Sequence, residues 1–331
     1  MKDDYDDWWI GKRILITGGF GFLGKAIQAA ALARGATVIP TDVAAHPASG
    51  VHLDVTSAVS TVGSVLEHQP DAIIHLAGIS HINEAQGGPF RAFDVNMGGT
   101  INVMRAAVKL KGARLYPVHV VVASSNHIYG SHPGMSARTE DAPLNQLDVY
   151  GASKHCQDVM ARSLGLAAHI PSVALRHVNA YGPGGHPSHI TNDAILAAIK
   201  GEPLKLRGDG SARKDYLYVP DVADAYLLLA KHACDLNVIG RAFNASPNAL
   251  YAGGETPSVR EWVLAINTVA EQNRGLKPQP PICLPAGQGE QSGYYERLDS
   301  SELRKWTGWC PRYSFVEGIE QTIDFWLAQP R

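Results

Sequence analysis

The first half of the chain alternates short, nearly continuous apolar runs with longer helix-like segments. RILITGG (13–19), TVIPTD (37–42), DAIIHLAG (71–78), HVVVASS (119–125) and SVALRHVNAYG (172–182) read as strands. FLGKAIQAAALARGA (22–36), GTINVMRAAVKL (99–110) and DVYGASKHCQDVMARSLGLA (148–167) have the composition of helices. Strands that do not alternate apolar with polar are buried on both faces. The pattern therefore predicts an α/β fold, a parallel sheet with helices on either side.

The texture changes after YGPGG (181–185). The later pieces are shorter and richer in Pro and Gly, as in GGETPSVRE and LKPQPPICLPAGQG. They predict a smaller C-terminal lobe over the carboxyl ends of the strands, where open α/β sheets bind ligands. GRAFNAS (240–246) is expected to return to the main sheet. The expected division is residues 1–182, with strand and helix returns from about 215–246, and 183–331 as mainly the substrate lobe.

Composition narrows the classes. With 331 residues the chain can bury a large core. Its 29 Lys and Arg against 31 Asp and Glu leave no electrostatic footprint for nucleic acid or an anionic membrane. Cys156, Cys234, Cys283 and Cys310 form no CxxC pair, which argues against a zinc site or disulfide framework and fits a reducing compartment. The acidic start MKDDYDDWWIGKR lacks the pattern of a signal or transit peptide. Trp8 and Trp9 are expected to pack this extension onto the domain. No apolar run approaches the roughly 18 residues of a membrane span, so a soluble, cytoplasmic protein is expected.

ITGGFGFLG (16–24) sets Gly18, Gly21 and Gly24 at a strand-to-helix junction. The first glycine allows a tight turn, the second lets backbone approach a pyrophosphate, and the third lets helix and strand pack closely. Asp42 ends the next strand, where a carboxylate binds ribose hydroxyls and repels a 2′-phosphate. NAD is thus favoured over NADP, although a strand-end Asp also serves as a turn or cap residue. Asp54 in LDVT is a candidate adenine contact or a helix cap.

Tyr150 and Lys154 lie four apart on a predicted helix and share a face, and Ser125 ends the preceding strand. An ammonium beside the tyrosine, with an oxidised nicotinamide, would favour its phenolate. That phenolate could take a proton from a sugar hydroxyl held by Ser125.

TGGFGFLG, LDVT, HLAG, the strand-end SS, YGASK, LRHVNAYGPG and YLYVPDVADAYLLLA stand in the order of the extended short-chain dehydrogenase/reductase family. Over about residues 12–327 the chain resembles the NAD-dependent nucleotide-sugar epimerases and dehydratases. The C-terminal ERLDSSELRKWTGWCPRYSFVEGIEQTIDFW has a flavour of the CDP-glucose 4,6-dehydratases. The resemblance implies a Rossmann-type doubly wound sheet, bound NAD and a nucleotide-diphosphate sugar as substrate. It adds Phe20, Phe22, Leu23, Val55, Leu76, Ala77 and Gly78 to the cofactor contacts, together with Tyr150 and Lys154. Asn96 matches an asparagine that helps set the catalytic helix. Asn179 and Arg297 match residues that touch the diphosphate, and either Arg213 or Lys214 supplies the cation before Asp215. Ser80 and His81 would face the sugar, or His81 would serve a loop hydrogen bond.

ASSNHIYG (123–130) departs from the dehydratase pattern, in which an acid and then a base, often Asp-Glu, follow the strand-end hydroxyl. Elimination of water needs both. Asn126 cannot be the acid, and His127 is one partner at most. Asn followed by a basic residue looks more like CDP-paratose 2-epimerases, and SSNH resembles uronate dehydrogenases. The expectation is an epimerase, with a 4,6-dehydratase and then an NADH-releasing sugar dehydrogenase as alternatives; Asn126 and His127 could also merely build the loop. A homodimer is expected through an apolar stripe of Cys156, Val159, Met160 and Leu164.

Overall fold

The computed structural model describes residues 5–44, 50–114, 116–130, 134, 136–146, 148–235, 237–247, 256–285 and 294–330. In chain order the strands are β1 (Arg13–Thr17), β2 (Thr37–Asp42), β3 (Val51–His52), β4 (Ala72–His75), β5 (His119–Ala123) and β6 (Ser172–His177). They continue as β7 (Asn179–Tyr181), β8 (Pro203–Leu206), β9 (Arg213–Lys214), β10 (Tyr216–Tyr218), β11 (Ala242–Ala245), β12 (Gln279–Cys283) and β13 (Tyr295–Glu296). Seven of them form one parallel sheet in the order β11-β6-β5-β4-β1-β2-β3. The chain winds outward in opposite directions from β1 and β4, so a crevice opens where these neighbours part at their carboxyl ends.

The apolar strands are buried on both sides, as their sequence implied. Along β1, Ile14 and Ile16 enter one apolar cluster while Leu15 enters another on the opposite face. Val121 and Ala123 of β5 divide from Val120 and Val122 in the same way. One cluster is closed by Ile27 and Ala31 of the helix Phe22–Ala33 and by Val222, Tyr226 and Leu229 of the helix Val219–His232. The other is closed by Val103, Met104 and Leu110 of the helix Gly99–Ala113 and by Ala161 of the helix Val149–Ala168. Trp9 is buried in the first cluster, and Trp8 stacks on His119 with ring centroids 5.7 Å apart, so this pair does tie the N-terminal extension down.

The predicted strand 172–182 is two strands. β6 stays in the sheet, and after Val178 the chain diverges so that β7 pairs with β10 in a separate ladder. GRAFNAS returns as β11 beside β6. Beyond residue 183 the helices Ile190–Lys200, Val259–Arg274 and Phe315–Leu327 close an apolar cluster of their own, with Trp262 stacked on Tyr216 at 4.2 Å. Three two-stranded parallel ladders, β10-β7, β12-β8 and β13-β9, flank this cluster. The last sets Glu296 beside Lys214.

Candidate active site

A cleft of about 1570 Å³ runs from the glycine turn across the crevice to the second lobe. At its β1 end Gly18 has φ +66°, a conformation that favours glycine, and an added Cβ would lie 2.9 Å from the backbone nitrogen of Ala77. At Gly24 a Cβ would come within 2.3 Å of the Gly19 carbonyl oxygen. Gly21 caps the helix Phe22–Ala33 without a side-chain hydrogen bond, so its first N–H groups are not taken up by a capping side chain. These are the shape and polarity that a dinucleotide pyrophosphate needs. Gly18, Gly21, Phe22, Leu23, Gly24, Asp42, Asp54, Val55, Leu76, Ala77 and Gly78 all line the cleft.

Two details differ from simple expectation. Phe20 turns its ring against Gly50, whose Cβ would be 2.2 Å from the ring, and does not line the cleft. Asp54 does not cap the next helix. Its Oδ1 accepts from Thr56 N at 2.9 Å and Thr56 Oγ1 at 2.7 Å, while Ser57 is the cap. Asp42 stands at the end of β2, with Oδ1 accepting from Ala44 N at 3.2 Å.

The reacting end is built by β5, the turn Asn126–Tyr129 and the helix Val149–Ala168. Ser125 caps that turn, accepting from His127 N at 3.2 Å, and donates to Asn126 Oδ1 at 3.3 Å. Tyr150 is buried at the cleft wall, with its ring 5.4 Å from that of His127. Burial raises its pKa, and a hydrogen bond from Ser125 works in the opposite direction. Lys154 lies beneath the cleft, and its ammonium donates to Ala123 O and Gln157 Oε1. It therefore does not bond Tyr150 directly. Burial pulls the Lys154 pKa down to about 7, against the partial support of the Asp158 charge.

Buried polar contacts hold these pieces. Asn96 accepts from Ile79 N at 2.7 Å and donates to Ile79 O at 3.1 Å and to Ser153 Oγ at 2.8 Å, joining the cleft loop to the tyrosine helix. It sits behind the lining, not on it. Arg176 of β6 grips Asp158 of that helix through Nε at 2.9 Å and Nη2 at 3.1 Å, and reaches Tyr129 Oη at 2.8 Å.

On the second-lobe side, Ser80, His81, Asn126, His127 and Asn179 line the cleft, whereas Arg213, Lys214 and Arg297 do not. Arg213 turns to Thr256 O at 2.6 Å and Glu261 Oε2 at 3.1 Å. Lys214 is paired with Glu296 at 3.2 Å. Arg297 is half-buried, and its charge acts on Asp215.

Glu296 was not anticipated. Its Oε2 accepts from Asn126 Nδ2 at 3.2 Å and from Asn179 Nδ2 at 3.3 Å. Burial opposes its charge, but Lys214 and then His127 bring its pKa down to about 2. His186 and His189 were also missed. Their rings lie 5.0 and 5.4 Å from that of His81 at the cleft wall. Burial, then His81 and His186, lower the His189 pKa. GGHPSHI carried a visible signal for this pair, two imidazoles directly after the glycine bend, whereas nothing local marked Glu296.

The profile of the NAD dependent epimerase/dehydratase family matches residues 14–245, which hold the glycine turn, Ser125, Tyr150 and Lys154. This chain belongs to that family. It is 31% identical to the UDP-glucose 4-epimerase of Mycolicibacterium smegmatis, with 95% of this chain and 98% of the relative covered. It is 28% identical to the dTDP-glucose 4,6-dehydratase of Xanthomonas campestris pv. campestris, over 95% and 93% of the two chains. The UDP-glucose 4-epimerase of Thermus thermophilus in complex with NAD superposes with a TM-score of 0.79 at 26% identity, covering 96% of this chain and 100% of that one. The chain is therefore an NAD-dependent enzyme of the epimerase/dehydratase type, and the glycine turn and Asp42 fit that cofactor.

Proposed function

We propose that this member of the family is a nucleotide-sugar epimerase that inverts one sugar carbon, C4 by preference, through a transient keto sugar. The observation that carries this reading is the chemistry at Ser125-Asn126-His127. The carboxylate that touches the motif, Glu296, is ionised, holds three donors and lies behind the cleft lining, so it offers no proton to a leaving hydroxyl. Elimination needs such an acid, whereas epimerisation does not.

The glycine turn and Asp42 would hold NAD, with Leu76, Ala77 and Gly78 against it. NAD, when bound there, supplies the hydride acceptor and then the donor. Tyr150 takes the proton of the sugar hydroxyl as the carbon is oxidised, and gives it back when the carbon is reduced. Ser125 holds the same oxygen. The keto sugar turns over between these events and is reduced from its other face. Identity to the M. smegmatis enzyme over nearly the whole chain supports a nucleotide sugar as substrate.

One observation favours dehydration instead. His127 lines the cleft next to Tyr150, placed to act as an acid or base. A panel of sugar nucleotides, followed by NMR of the products and by absorbance of reduced cofactor, tests the choice. An epimer with no net NADH supports the reading. A 4-keto-6-deoxy sugar supports the dehydratase, and accumulating NADH a dehydrogenase.

We further infer that residues 1–182, with the returns at about 215–246, serve the cofactor, and that 183–331 mainly serve the nucleotide sugar. The apolar cluster closed by three helices beyond residue 183 supports this division, with Tyr181, Tyr216 and Tyr218 of the cofactor unit also entering it. Cys156, Val159, Met160 and Leu164 are only partly buried within the chain, which supports a homodimer that covers them. A monomeric mass by light scattering at micromolar concentration would count against it. Free cysteines support a cytoplasmic location. Among the described residues no helix is long and apolar enough to cross a membrane.

A further inference from the structure

We propose that His75 is a positioning residue, the central link of a one-directional hydrogen-bond chain that holds the cofactor loop in register with the backbone of Tyr150. The proposal rests on the proton-moving role given to Tyr150, and it applies to an epimerase and a dehydratase alike.

His75 and Thr17 end β4 and β1, the two strands at the crevice, and they are register partners. With Thr100, Asn96 and Ser153 they are buried, so their polar atoms must find partners inside the protein. The direction of each bond follows from the next. Thr100, on the helix Gly99–Ala113, gives its hydroxyl hydrogen to Asn96 O at 2.7 Å. Its oxygen lies 3.1 Å from His75 Nε2 and can then only accept, so Nε2 carries the ring proton. Nδ1 is therefore the acceptor, and Thr17 Oγ1 donates to it at 2.7 Å. The Thr17 oxygen in turn accepts from Ala77 N at 3.2 Å.

Asn96 carries the chain onward through its side chain. Its Nδ2 donates to Ser153 Oγ at 2.8 Å, and Ser153 Oγ donates to Tyr150 O at 2.8 Å. Every link from Ala77 to Tyr150 donates in the same sense, and bonds aligned in this way strengthen one another. Burial, then the Lys154 charge, hold the His75 pKa down to about 3, which keeps the ring neutral. A proton on Nδ1 would confront the Thr17 hydroxyl hydrogen and break the chain at its centre.

Both ends of the cofactor loop are tied to this chain. Ala77 and Gly78 line the cleft, and a Cβ on Gly18 would lie only 2.9 Å from Ala77 N. A shift of the loop is therefore felt at the glycine turn. Ile79 N, at the far end of the loop, donates to Asn96 Oδ1 at 2.7 Å.

Nitrogen-15 NMR of the histidine-labelled apoprotein at neutral pH reads the tautomer without ligand or turnover. The His75 signals, identified by their loss in His75→Gln, should show a bare Nδ1 and a protonated Nε2. The opposite tautomer, or an imidazolium, overturns the proposal.

Kinetics on UDP-glucose or dTDP-glucose, whichever the NAD-loaded wild type converts, test the positioning itself. His75→Leu keeps apolar bulk but no polar atom, and should lower kcat about tenfold or more with KM within about threefold. His75→Gln carries an acceptor and a donor on one side chain and should recover most of that loss. Thr17→Val removes one link without touching the ring, and should match His75→Leu or replace it if that variant does not fold. A kcat within about threefold of wild type in folded H75L or T17V, or H75Q as slow as H75L, overturns the proposal. If neither sugar nucleotide is converted, the functional assignment fails, and the tautomer alone decides the proposal.

Discussion

Lys154 shows what burial does to a single site residue. Its pKa falls from the ordinary lysine value to about 7, so the folded chain sheds a proton that the unfolded chain keeps up to about 10.5. Between those values the unfolded state binds more protons, and the contribution of Lys154 to stability rises with pH. Below about 7 its burial penalty is fully present. Lys154→Met removes that penalty, so stability relative to wild type should be most favourable near pH 6 and decline steadily toward pH 10 in paired urea melts of the apoprotein. A pH-independent difference would show that Lys154 is not held in this way. Tyr150→Phe should lower kcat about a hundredfold or more while NAD still binds, because the ring and its packing remain and only the proton acceptor goes. A kcat within about threefold of wild type would remove Tyr150 from the chemistry. Tyr150 and Lys154 were legible as a pair because one helical turn spaces them, and Ser125 because it follows an apolar strand. Glu296 was not, since its partners Asn126 and Asn179 are 170 and 117 positions away and meet it only through the fold.

The elements were legible to the degree that their apolar pattern was simple. β1, β2, β4, β5 and the glycine and tyrosine helices lie where continuous apolar runs and helical segments predicted them. The strand at 172–182 broke in two because its end leaves the sheet to pair with β10, a partner about 40 residues further on. The clue left unread there is Arg176, a full charge in an otherwise apolar strand. Such a charge requires a buried partner. It finds Asp158 on the tyrosine helix, and both side chains are at most 1% exposed. Burial opposes the Asp158 charge, but the Arg176 contacts hold its pKa below the ordinary carboxylate value. Asp158→Asn would strand a buried guanidinium, and should cost about 3–5 kcal/mol in denaturant unfolding. A loss below about 1 kcal/mol would mean that the pair does not lock helix to sheet.

At the scale of the molecule, the crevice between β1 and β4 receives the glycine turn on one side and the second lobe on the other. β9 and β13 bring Glu296, paired with Lys214, to the back of Asn126 and Asn179, so the lobe is hydrogen-bonded to the loop that carries Ser125 and His127. The serine and tyrosine needed to move a proton are in place. Neither Asn126 nor Glu296 supplies the acid needed to expel a hydroxyl, which leaves His127 as the one group of the motif able to do so. The most direct test is mass spectrometry of the product formed by NAD-loaded protein from a sugar nucleotide in deuterated water. Inversion of a carbon by oxidation and return of the same hydride predicts a product of unchanged mass with no deuterium on carbon. Loss of one water, with solvent deuterium at C5, would contradict the account.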